Sequence, residues 1–225
     1  PARFPAYLLN PVAKSEAKYA ENLGNVVEER EGFLVLKSAL NGAHRIAARP
    51  RQKWRADLFL ARASKPGVEA VEVALEALAW RQAPELVFHD ALFWNEQREA
   101  GGKVTRELAA RGGIGELEDA ATACAVRKMA PEKFFAYLRE RALRRAGHVG
   151  WARALEAAGV AVKDVLPLVE GAEGKGPVEE IVASMRAEAD LLQSLEAGGD
   201  VVLLAENCEL IPVRSRADLR YYLEL

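Results

Sequence analysis

Two cysteines, two methionines and three histidines are all that 225 residues hold, and each scarcity removes a class of chemistry. Cys124 and Cys208 lie too far apart to form a disulfide framework, which favours a reducing compartment such as the cytoplasm without fixing it. His44, His89 and His148 are scattered without ligand spacing, so neither a metal site nor any other cofactor is expected. No apolar run approaches the roughly 18 residues that cross a bilayer, so no membrane span is expected. The opening PARFPAYLLNPVAK lacks the charged-then-apolar layout of a signal peptide, and Pro1 fits either an excised initiator Met or a cleaved leader. Charge of one sign is missing as well. Lys and Arg number 31 against 33 Asp and Glu, a net of −2, so no electrostatic footprint for nucleic acid stands out. Internal repeats and low-complexity segments are absent.

What the chain does have is an ordinary globular composition, half of it hydrophobic, with length enough for one sizeable core or for a domain with an insertion. Its most informative stretch runs from Trp54 to Ala79. Trp54, Ala56, Leu58 and Leu60 alternate with Arg55, Asp57 and Phe59, which predicts a strand. The alternation breaks at Ser64-Lys65-Pro66-Gly67, and Val68, Val71, Leu75 and Leu78 then recur at helical spacing. Ser64 can cap that helix, and Pro66 falls in its first turn, where a missing N–H costs little. A strand running into a capped helix aims free N–H groups and a positive partial charge at one point.

Before this stretch, Ser15 to Arg30 has the spacing of a helix, weakened by Gly24 and the acidic EEREG. Two apolar runs flanking Asn41-Gly42 predict a hairpin. RPRQK, residues 49–53, is a solvated basic link. After the helix, Glu85 to Trp94 predicts a second strand, completing a βαβ unit, with His89 as a hydrogen-bonded strand residue. Asn95 to Gly113 is polar, with a short helix expected over KVTRELAAR. Helices follow. One carries Ile114, Leu117, Ala121 and Cys124 on its buried face, with Cys124 as a small core hydrophobe. The next buries Phe134, Phe135, Leu138 and Ala142, and ends on cations that suit the helix dipole. Short helices are expected over His148–Ala158 and Lys163–Val169. GAEGKG is a loop, lacking the preceding strand and Gly-Lys-Ser/Thr ending of a phosphate cradle. Pro177 opens the longest helix, with Ile181, Met185, Leu192 and Leu195 on its face. A hairpin turning at Glu206-Asn207 and a helix capped by Ser215 close the chain.

The run ASKPGVEAVEVAL resembles the site region of Dsb-type (DsbA-like) thioredoxin-like disulfide oxidoreductases, where a strand ends in Ser-Lys-Cys-Pro-x-Cys/Gly-Val and a helix follows. CAVRKMAPEKFFAYL and WARALEAAGV resemble pieces of that family's helical insertion. DVVLLAENCELIPVRSRADLRYYL resembles its closing hairpin and helix. The likeness covers residues 53–225, and order and spacing carry more of it than any single motif. It implies an α/β, thioredoxin-like fold with a helical insertion at about 99–175, preceded by an N-terminal arm and β-hairpin extension over 1–52.

The departures bear on function. Where the family keeps Cys-x-x-Cys, this chain reads Lys65-Pro66-Gly67-Val68, one residue shorter and without sulfur. Where the family keeps a cis-proline, this chain has Asp200. Lys65, Pro66, Gly67 and Asp200 would then mark a vestigial site, with Lys65 and Asp200 paired across it. A lysine at a helix N-terminus is unfavourable by ~0.3–1 kcal/mol, which a carboxylate would offset. Three functions are compatible with this reading. The first is a non-catalytic interaction or accessory subunit that docks a protein partner, or a second copy, through residues 1–52, where Phe33, Val35, Leu36 and Leu40 add apolar surface. The second is a glutathione-dependent transferase or isomerase using the Ser64 hydroxyl. The third is a single-thiol redox protein acting through Cys208.

Overall fold

The computed structural model describes residues 26–30, 33–38, 42–43, 45–46, 52–98, 102, 104–145, 150–171, 174–207, 209–213 and 215–224. Its frame is a five-stranded sheet. The first of these strands to matter is Arg55–Leu60 (β5), followed by the helix Lys65–Ala77 (α1) and the strand Glu85–Asp90 (β6), which pairs parallel to β5 from Arg55↔Glu85 to Leu60↔Asp90. On the other side of β5 lies the antiparallel strand Val201–Ala205 (β9), and beyond it Glu209–Pro212 (β10) and Arg45–Ile46 (β4). The order is β4-β10-β9-β5-β6.

Burial on both faces explains why β9 is an unbroken apolar run, and on β5 it extends to Asp57, which the alternation put on the face opposite Ala56 and Leu58. Leu58 and Leu60 join the larger core, with Val71, Val73 and Ala74 of α1. Phe59 faces a smaller cluster with Val202, Leu204 and two residues from the end of the long helix Glu179–Ser194 (α6), Leu192 and Leu195. The stripe that α1 buries is rotated from the expected one: Ala70, Val73, Ala74 and Ala77 are buried beside Val71, whereas Val68, Leu75 and Leu78 are half-buried. Small residues let α1 lie close to the sheet, and the larger ones pack at its flanks.

The hairpin between β9 and β10 turns where expected. Glu206 and Asn207 take φ of 50° and 63°, a left-handed pair that Asn tolerates. Its tip is tied to β5, with the Glu206 N–H donating to the Arg55 carbonyl (2.6 Å) and the Gln52 N–H donating to the Glu206 carbonyl (2.8 Å). The closing helix Arg216–Glu224 (α7) is capped by Ser215, whose Oγ accepts the Asp218 N–H at 3.1 Å.

Three expectations are corrected. Val26–Arg30 (β1) is a strand, not the end of a helix; it pairs with Phe33–Ser38 (β2), which pairs with Gly42–Ala43 (β3) in a separate three-stranded sheet. The strands expected on either side of Asn41-Gly42 do pair, Ser38 with Gly42 and Lys37 with Ala43, while the turn at 39–41 and the rest of the expected helix lie outside the described residues. KVTRELAAR forms no helix either. Val104–Ala110 (β8) pairs antiparallel with Leu92–Arg98 (β7), from Leu92↔Ala110 to Arg98↔Val104. Its Glu, Leu, Ala and Arg residues favour a helix locally, but a full ladder, an Arg106–Glu96 ion pair at 2.7 Å and a Trp94 indole N–H bonded to Asp190 at 2.7 Å override that preference. The insertion thus opens with a β-hairpin before its helices Ile114–Met129 (α2), Phe134–Arg145 (α3), Trp151–Ala157 (α4) and Val162–Glu170 (α5).

The third correction concerns which side of the insertion helices is buried. On α2, Ala121 and Cys124 are buried as expected and Leu117 is half-buried, but Ile114 is 75% exposed, and Glu116, Asp119, Ala120, Thr122, Ala123, Ala125 and Val126 also face inward. In α3, Phe134 and Leu138 are buried as expected, Phe135 is exposed, and Tyr137 is wholly buried. α6 buries Ile181, Met185, Leu192 and the capping Leu195 as its spacing predicts.

Candidate functional site

The turn between β5 and α1 is held by a compact set of hydrogen bonds. Ser64 is the N-cap: its Oγ accepts the Gly67 N–H at 3.1 Å and donates to the Ala61 carbonyl at 2.8 Å. Both hydrogen-bonding roles of that hydroxyl are occupied by backbone. Pro66 sits in the first turn as expected. Gly67 is there for space, since a Cβ on it would stand 2.1 Å from the Ala61 carbonyl oxygen.

Asp200 lies against this turn. Its carbonyl accepts the Ala61 N–H at 2.8 Å, which seats the residue at the end of β5. The expected Lys65–Asp200 pair does not form. Lys65 is 87% exposed and meets Glu69, one turn along its own helix, at 3.7 Å. Asp200 meets Arg111, from the loop between β8 and α2, at 3.4 Å. The helix offers Lys65 a carboxylate at the favoured i,i+4 spacing, while the insertion supplies Asp200 with a cation.

That loop is stapled to the turn by a residue the sequence reading did not single out. The buried Glu116 carboxylate accepts the Ala63 N–H at 2.6 Å and the Gly112 N–H at 2.7 Å. These are short, charge-assisted bonds. Glu116→Gln keeps the shape but turns an amide N–H₂ toward one of the two donors. A loss of about 2 kcal/mol in urea-unfolding stability is expected.

Beneath the turn lies a buried ionic network that was also missed. Arg62 Nε donates to Asp90 at 2.7 Å, and its Nη2 donates to the Asp119 carbonyl at 3.0 Å. Arg141 grips the Asp119 carboxylate with two bonds of 3.0 Å. Glu188 of α6 accepts the Asp90 N–H at 2.8 Å and an Arg127 N–H at 2.6 Å. Burial opposes the Arg62 charge, but Asp90 and its neighbours more than offset this and raise the guanidinium's pKa. Burial and the Asp90 charge push the Glu188 carboxyl up, against the pull of Arg127. Tyr137 stands wholly buried near these groups, its hydroxyl without a partner among the described residues and pushed up by desolvation. The one sequence sign of the network is Asp90, a carboxylate ending a strand whose middle, Leu86 to Phe88, is apolar.

His89 is the hydrogen-bonded strand residue expected. Its Nε2 lies 3.0 Å from Asp57 Oδ1, and its ring stacks on Phe59 at 4.6 Å. Burial would raise the Asp57 carboxyl, but bonds from Arg55 (2.7 and 2.8 Å) and His89 hold it below the usual range.

Cys124 is buried in α2, and desolvation together with the Glu188 charge pushes its thiol up to about 12. At pH 8 a thiol with a pKa of about 12 is thiolate to only ~1 part in 10⁴. In a Cys208→Ser variant, native Cys124 should therefore resist a thiol-specific label and react only on unfolding, as followed by intact mass. Cys208 itself lies outside the described residues. Among the described residues, no cluster of three or more His, Cys, Asp or Glu is arranged to hold a metal ion, and no helix is long and apolar enough to cross a membrane.

No family model matches the chain, and no curated protein matches it in sequence. Among solved structures it is similar to the crystal structure of the thiol-disulfide exchange protein alpha-DsbA2 from Wolbachia pipientis. The TM-score is 0.51 at 16% identity, covering 93% of this chain and 91% of that one. At that identity the likeness concerns architecture: this is a DsbA-like thioredoxin fold, an α/β sheet with the insertion's helices alongside.

Proposed function

We propose that this chain is a non-catalytic, DsbA-like thioredoxin-fold protein that serves as an interaction or accessory subunit and has lost its redox site. The observation that carries the reading is the turn at Ser64–Gly67. In a frame of this kind the start of α1 is where a low-pKa thiol would stand, and here it holds a capping serine, a solvated lysine, a proline and a glycine. Cys124 offers no substitute, being buried in α2 with a raised pKa. Asp200 is engaged by Arg111. The Ser64 hydroxyl is engaged by backbone on both sides, so nothing favours the transferase reading.

The interaction surface belongs to residues 1–52 in this proposal. Support comes from the small sheet β1-β2-β3, which lies outside the five-stranded one and in which β1 is an edge strand among the described residues, the kind of strand that can pair with a partner. Two measurements test it. The purified full chain should not reduce insulin disulfides with dithiothreitol as electron donor. It should also cross-link to itself or to a co-purifying protein, and Val35→Asp should abolish that cross-link. Disulfide reduction at a rate comparable to a dithiol oxidoreductase overturns the first half, and a cross-link indifferent to Val35→Asp overturns the second.

A further inference from the structure

Away from the turn, the insertion and α6 enclose an open cleft of about 620 Å³ between the starts of α2 and α6, the end of α5 and the N-terminus of α4. That volume falls within the range of ~300–1,000 Å³ typical of small-molecule sites. Its bed is apolar, with Ile114, Leu117, Met185 and the half-buried Trp151 among the lining residues. Ile114, the most exposed large apolar residue described, gains a reason for being there. Among the described residues, the charged ones lining the cleft are two carboxylates, Glu118 and Glu170. Both are exposed, and neither has an ion-pair partner among the described residues. Lys175 stands close by in sequence but does not line the cleft.

An apolar bed that includes the Trp151 side chain, with two carboxylates that have no ion-pair partner among the described residues, selects for one kind of occupant. A neutral apolar molecule would use the bed alone, and an anion would be repelled by both carboxylates. A cation on an apolar stem uses the bed and the carboxylates together, because a trimethylammonium or amine head is attracted both to the face of a tryptophan and to carboxylates. We propose that this cleft is a binding site for small amphipathic organic cations, with Trp151, Glu118 and Glu170 taking the charged head. The inference does not depend on whether the β5–α1 turn is catalytic, since none of these residues touches it.

The test uses the full chain and three probes with the same eight-carbon stem, all below their micellar concentrations: octyltrimethylammonium, octyl sulfate and octanol. Calorimetry should show the ammonium binding at least about 10-fold more tightly than the sulfate, with octanol between them. The Trp151 indole N–H resonance should shift with the ammonium. The double variant Glu118→Gln/Glu170→Gln changes exposed residues only, and circular dichroism can establish that it is folded. It should bring the ammonium down to the affinity of octanol. Equal binding of all three probes, preference for the sulfate, no binding of the ammonium, or full ammonium affinity in the folded double variant would each overturn the assignment.

Discussion

Arg62→Met should destabilise the protein by about 3–5 kcal/mol, the cost of leaving a buried charge without its partner. Arg62 is buried between Asp90 and the Asp119 carbonyl, and Asp90 is itself buried at the end of β6. Methionine fills much of the volume, so the loss is electrostatic: Asp90 keeps only Arg127, at 3.7 Å, beside the like-charged Glu188. For a chain of this size the penalty corresponds to a fall in melting temperature of roughly 6–20 °C. The double variant Arg62→Met/Asp90→Asn distinguishes this cause from lost packing. Removing the stranded carboxylate should recover more than half of the loss, because a neutral pair no longer holds an uncompensated charge. Thermal and urea unfolding of the single and double variants provide the measurement. If the second substitution adds to the damage, the Arg62–Asp90 bond is not what holds this region.

Gly67→Ala separates helix propensity from tertiary packing, because the two demand opposite signs. Inside a helix, alanine is better than glycine by ~1 kcal/mol. At position 67 the new Cβ would meet the Ala61 carbonyl oxygen at 2.1 Å and its carbon at 2.7 Å, contacts with backbone that no rotamer can relieve. Relief requires α1 to withdraw from the end of β5, which breaks the Ser64 bonds to Ala61 and Gly67 (2.8 and 3.1 Å). The expected result is a net loss of about 3 kcal/mol, at the upper end for overpacking. A variant as stable as the parent, or more so, would show that the helix does not approach β5 this closely. The glycine of the turn is thus accounted for by space rather than by chemistry.

Much of the frame was legible in the order of residues. Alternation gave β5, the Ser-Lys-Pro-Gly break gave the cap and start of α1, and Glu206-Asn207 gave the turn between β9 and β10. Those features rest on local chemistry, namely a side chain capping its own helix and residues that accept a left-handed turn, so they survive in any tertiary context. The β8 strand was not legible, because KVTRELAAR has helical propensity and becomes a strand only when β7 offers it a ladder. Nor were the partners of Lys65 and Asp200. The family pattern put both residues at the turn, but which charge each meets depends on where Glu69 and Arg111 are carried by the helix and the loop.

By itself, then, the sequence determined where the chain bends, which turn begins α1 and that this turn contains no sulfur. Tertiary structure alone decided that Glu116, Asp119, Arg62 and Glu188 would be inside, each bound to at least one group far along the chain: Arg62 to the Asp119 carbonyl 57 residues on, Glu116 to Ala63 53 residues back, and Glu188 to Asp90 98 residues back. A charged residue on a helix looks the same in sequence whether it faces water or a buried partner. Only the packing of α2 and α6 against the sheet brings opposite charges within 3 Å, where the loss of hydration is offset.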